Sequence, residues 1–107
     1  MRYLMTTKAT DTVPDDKLFA EMAKFVEELT AAGVLLATGG LEAGGVRVAS
    51  SGDTITVTDG PFTEAKEAVA GFALVEVRSK EEAIELTRRF RKIVGDGESV
   101  IQQVFGP

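Results

Sequence analysis

Two amphipathic helical stripes, each bracketed by strand-like runs, constrain this chain more than any other feature. In the first, Leu18, Met22, Phe25 and Leu29 recur at helical spacing, and Phe19 and Val26 widen the stripe. Pro14 suits the first turn, Asp15 and Asp16 complement the helix dipole, and Gly33 is a natural stop. The pattern predicts a helix over residues 15–32. The second stripe is Ala83, Leu86, Phe90 and Ile93. It follows a capping box, Ser79-Lys80-Glu81-Glu82, and ends near Gly95.

The runs around these helices have the period of strands. In residues 2–8, Tyr3, Met5 and Thr7 share one face, and Arg2, Leu4, Thr6 and Lys8 the other. Residues 34–37 form a short apolar run. Residues 46–50 and 54–58 alternate and are joined through Ser51, Gly52 and Asp53, a hairpin signal. In residues 71–77, Phe72 and Leu74 lie on one face, and Ala73, Val75 and Val77 on the other. Residues 100–105 are the last strand. The glycine-rich stretch 39–45 lacks G-x-G-x-x-G, lacks a P-loop Lys-Ser/Thr and precedes no helix pattern. It reads as a flexible connection.

With the hairpin set aside, a βαββαβ order remains, the ferredoxin-like α+β unit, as a single domain over residues 1–107. Its sheet carries both helices on one face. Two of its strands are apolar on both faces, so the other face needs a cover. A second copy of the same sheet is the simplest one, which predicts a homodimer closing into a dimeric α/β barrel.

Composition removes whole classes of chemistry. The 107 residues include no Cys and no His. Disulfides, thiolate nucleophiles, zinc fingers, imidazole bases and the Ser-His-Asp triad are therefore excluded. No cofactor or metal motif is present, and neither group is expected. Twelve basic and 17 acidic side chains give a net charge of −5, which repels nucleic acid and anionic membranes. No stretch approaches the ~20 apolar residues of a membrane-spanning helix, and residues 1–8 do not resemble a signal peptide. A cytoplasmic domain is the expectation. The basic cluster Arg88, Arg89, Arg91 and Lys92 reads as a solvated face matched to the helix dipole, with Glu85 and Arg89 as an i,i+4 pair.

The most distinctive segment is Asp59-Gly60-Pro61-Phe62-Thr63-Glu64-Ala65-Lys66-Glu67. An Asp before Gly-Pro can accept backbone N–H bonds and fix a turn, and Phe62 supplies an apolar anchor beside it. This segment resembles the signature of the YCII-related, DGPF-type proteins. Further matching stretches fall in that family's order: Met1-Arg2-Tyr3-Leu4-Met5, Glu28-Leu29 through Ala32-Gly33-Val34-Leu35, Gly71-Phe72, Ser79 to Ala83, and Gln103-Val104-Phe105. The resemblance implies a dimeric ferredoxin-like barrel with a small-molecule cleft between sheet and loops. It also implies, for some branches, His-Asp proton transfer or dehalogenation, and for others a sigma factor as partner.

A chain without His cannot carry the His-Asp pair. What the resemblance leaves for a site is Asp59, with Tyr3, Arg47, Gly60, Pro61, Phe62, Lys66 and Gln103 around it. The favoured expectation is a ligand- or partner-binding module linked to sigma-factor-dependent transcription. The alternative is a small isomerase, lyase or dehalogenase-like enzyme. There Asp59 would be the base, and Arg47 or Lys66 would stabilise an oxyanion.

Overall fold

The computed structural model describes residues 1–10, 13–60 and 68–106. It contains β1 (Arg2–Lys8), α1 (Asp16–Ala31), β2 (Leu35–Gly40), β3 (Val46–Ser51), β4 (Thr54–Asp59), β5 (Val69–Glu76), α2 (Lys80–Val94) and β6 (Ser99–Val104). The fold is mixed α+β. Four strands form an antiparallel sheet in the order β2-β5-β1-β6, and β3 and β4 form a separate two-stranded ribbon.

Local chemistry sets the helix ends. Asp15 is the N-cap of α1, its carboxylate accepting from the Leu18 N–H at 2.8 Å. Pro14 therefore precedes the cap, one step outside the expected first turn. At the other end Gly33 takes φ +73° and donates to the Thr30 carbonyl, while Val34 donates to that of Leu29. This is the Schellman closure that favours glycine. Ser79 caps α2 by accepting from Glu82 N–H at 3.2 Å. The Glu82 carboxylate reaches back to the Arg78 N–H, one residue before the cap.

Strand parity decides which face the helices cover. Tyr3, Val75, Val77 and Ala83 form the buried centre, with Leu35, Leu86 and Ile101 packed against it. Phe25 and Leu29 of α1 are also buried. Phe19 is 62% exposed, so the apolar stripe of α1 is narrower than its sequence suggests. The opposite sheet face presents Leu4, Thr6, Phe72, Leu74, Val100 and Val104, as the registers Leu4↔Leu74, Thr6↔Phe72 and Thr6↔Val100 require. No helix among the described residues lies on it.

β2 runs to Gly40, into the stretch expected to be a flexible connection. Gly39 pairs with Phe72, and a Cβ on Gly39 would stand 3.2 Å from the Phe72 ring. The missing side chain lets that ring approach the strand.

The ribbon stands apart. β3 and β4 pair only with each other, and every residue in both is exposed. The radius of gyration is 16.0 Å, against ~13 Å for a compact domain of about 100 residues.

Candidate functional site

Among the described residues, those expected to form the site do not converge. Tyr3 lies on β1 beneath the helices, only 5% exposed. Gln103 is its register partner on the edge strand β6 and is exposed. Arg47 and Asp59 are on the exposed ribbon, and Gly60 donates its N–H to the Gly45 carbonyl at 2.7 Å, just past the ladder. Asp59 is opposite Val46, and Arg47 is opposite Thr58, so the two side chains leave opposite faces of the ribbon. Pro61, Phe62 and Lys66 lie outside the described residues.

A cleft opens elsewhere, between the sheet and the two helices. It has a volume of about 290 Å³. Its walls are apolar: Met5 from β1, Leu18 and Met22 from α1, and Phe90 and Val94 from α2. Met5, Met22, Thr38 and Phe90 also border an inner void of about 50 Å³ that reaches toward Tyr3. Asp59, Arg47 and Gly60 line neither space.

The polar groups of the cleft are Thr7, Lys8, Thr10, Thr38, Arg91 and Asp96. Arg91 donates through one terminal nitrogen to Ser99 Oγ at 3.2 Å and through the other to the Gly95 carbonyl at 2.7 Å. Ser99 Oγ is in turn 3.0 Å from Thr7 Oγ1. Lys8 pairs with Glu98 at 3.2 Å.

The basic cluster of α2 thus divides into separate roles. Arg89 makes a two-pronged bridge to Glu28 of α1, at 2.7 and 2.9 Å, with its guanidinium over the Phe25 ring. These hydrogen bonds hold the Glu28 carboxyl below its ordinary value and raise Arg89 above its own. Glu85, expected to pair with Arg89, pairs with Arg88 instead. Arg91 turns to the cleft.

No cluster of three or more acidic, His or Cys side chains among the described residues is arranged to hold a metal ion. No helix there is long and apolar enough to cross a membrane.

The family model of the YCII-related domain matches residues 1–101. The chain belongs to the YCII-related family. No curated protein matches it in sequence. Among solved structures it is similar to 5-chloro-2-hydroxyhydroquinone dehydrochlorinase (TftG) from Burkholderia phenoliruptrix AC1100, in complex with 2,5-dihydroxybenzoquinone. The TM-score is 0.57 at 16% identity, over 100% of this chain and 96% of that one. A likeness at that identity carries the fold alone.

Within this YCII-related chain, sequence reasoning missed the cleft residues Thr7, Arg91 and Ser99. A signal for Arg91 existed. It lies on the row Ala83, Thr87, Arg91, at i+4 spacing, which borders the apolar stripe of α2. A cation on the border of a buried stripe is a different object from one on the solvent face.

Proposed function

We propose that this protein is a homodimeric binding module that takes a small ring-shaped molecule into the cleft between sheet and helices. The cleft itself carries the reading. An apolar cavity of about 150 Å³ already accommodates benzene. The 290 Å³ here leaves room for a substituted single ring, with a few polar groups at the lip to orient it.

Binding is favoured over turnover by what lines the cleft. Its titratable groups among the described residues are Lys8, Arg91 and Asp96, and Lys8 is paired with Glu98. Asp59, the base of the catalytic alternative, stands on the ribbon. The second reading, a proton-transfer enzyme, draws support from the structural neighbour. That protein is named a dehydrochlorinase and holds a dihydroxybenzoquinone. In this chain Asp96 is the one carboxylate among the described residues that line the cleft.

The strand order, with both helices on one face, supports the ferredoxin-like reading with the ribbon as an insertion. The bare sheet face supports the dimeric barrel. Four strands ~4.8 Å apart and six residues long present a flat footprint of about 400 Å². The ribbon adds about 200 Å² by the same spacing. A stable interface buries ~800 Å² of corrugated surface per partner, which is of the same order. One face of the ribbon groups Val46, Val48, Ile55 and Val57, which are 60%, 65%, 69% and 66% exposed, with Asp59 and Ser50 opposite Val46 and Ile55. Such a patch on a projecting arm needs a partner.

The methionines provide the test. Of the three in the chain, Met5 and Met22 line the cleft and Met1 does not. With labelled methionine methyls, benzamide should shift Met5 and Met22 and leave Met1 unmoved. No shift at Met5 and Met22 up to millimolar probe rejects the cleft as a binding site.

A further inference from the structure

We infer that the cleft selects a single-ring organic anion, with the Arg91 guanidinium gripping a planar carboxylate at its lip. This rests on the cleft reading above and adds the charge of the ligand to it.

Arg91 is half-buried in the last turn of α2, with its guanidinium 5.7 Å from the Phe90 ring centre. Its bonds to Ser99 and Gly95 occupy two of five N–H donors. It makes no ion pair among the described residues, whereas Arg88 and Arg89 on the same helix each meet a glutamate. An arginine left without a carboxylate at the wall of an apolar cleft is complementary to an incoming one.

The group is also held in place. Ser99 is itself fixed by Thr7. Gly97, at φ +149°, packs so closely that a Cβ there would collide with the guanidinium. Anchored on two sides, the fork keeps its remaining N–H groups in one plane. That geometry matches a carboxylate through two parallel bonds. Asp96 is the one carboxylate among the described lining residues, and Lys8 pairs with Glu98. The apolar walls strengthen such a contact by keeping water from it.

Benzoate and benzamide present the same ring, one charged and one neutral. Titrated against the full chain and read at Met5 and Met22, benzoate should bind about tenfold more tightly than benzamide, the worth of a charge-assisted hydrogen bond. Arg91→Met should abolish that preference while benzamide binding persists. Arg91→Lys should keep part of it, because the charge remains and the fork is lost. If Arg91→Met does not fold, Gly97→Ala, which displaces the guanidinium, serves the same comparison. Equal binding of both probes, or a benzoate preference that survives these substitutions, overturns the inference and leaves the cleft reading standing. Binding of neither probe overturns both.

Discussion

Replacing Val57 with aspartate tests the proposed dimer where the single chain is most open. Val57 is 66% exposed and lies opposite Val48, itself 65% exposed, on the apolar face of the ribbon. Fully burying a valine stabilises by about 1.5–3 kcal/mol, so covering two thirds of one is worth about 1–2 kcal/mol. Val57→Asp forfeits that and leaves a carboxylate facing apolar surface, which costs a few kcal/mol more. A two-fold interface carries the change twice. Even at about 2 kcal/mol per copy the total is about 4 kcal/mol, or about a thousandfold in dissociation constant. The assay is sedimentation velocity across micromolar concentrations. The wild type should sediment as a dimer and Val57→Asp as a monomer with unchanged circular dichroism, because the exposed valine contributes little to the isolated fold. The control is Thr56→Asp, opposite Ala49 on the other face of the ribbon. It should remain dimeric. A wild-type monomer at tens of micromolar refutes the dimer. Equal effects of the two substitutions refute the assignment of the apolar face to the interface.

Leu29→Ala, at a side chain 6% exposed beneath the sheet, should cost about 2–5 kcal/mol and lower the thermal midpoint by roughly 10 °C or more. A loss under 1 kcal/mol in urea titration would contradict its place in the core. Ser79→Ala removes the acceptor for the Glu82 N–H and should cost about 1 kcal/mol in the same titration. Glu28→Gln probes the inter-helix bridge through pH. Arg89 depresses the Glu28 pKa in the folded chain, so the contribution is present above the unfolded value and is lost as pH falls through the folded one. Wild type and Glu28→Gln should differ at neutral pH and converge in acid; a difference that grows on acidification would reverse the sign.

The parts of the fold that periodicity governs were legible. The parity of β1 and β5, the Ser79 cap and the Gly33 stop all stand in the structure as the pattern requires. What periodicity could not supply was a choice between equivalent faces. Tyr3 with Met5 and Leu4 with Thr6 are both credible core faces of one strand, and only the docking of α1 and α2 selects the first. The basic tail of α2 posed the same difficulty. Glu28, which binds Arg89, lies 61 residues away in sequence, beyond any local rule.

The dispersal of the expected site around Asp59 has a sharper cause, a single residue of hairpin register. A connection through Ser51, Gly52 and Asp53 would pair Ser50 with Thr54. That register places Arg47 and Asp59 on one face, as neighbours across the ribbon. The structure has a two-residue turn, with Ser51 opposite Thr54 and Gly52 at φ +58°, where a tight hairpin favours glycine. A slip of one residue exchanges faces, so Arg47 and Asp59 separate. The apolar pattern contained the means to decide. In the longer connection Val48 would face Thr56, and each side of the ribbon would be mixed. In the observed one Val48 faces Val57, Ile55 joins them, and Thr54, Thr56 and Thr58 gather on the other side with Arg47. Segregation of valine and isoleucine from threonine is what a ribbon with one covered face demands. The register that removes Arg47 from Asp59 is therefore the same register that builds the apolar arm.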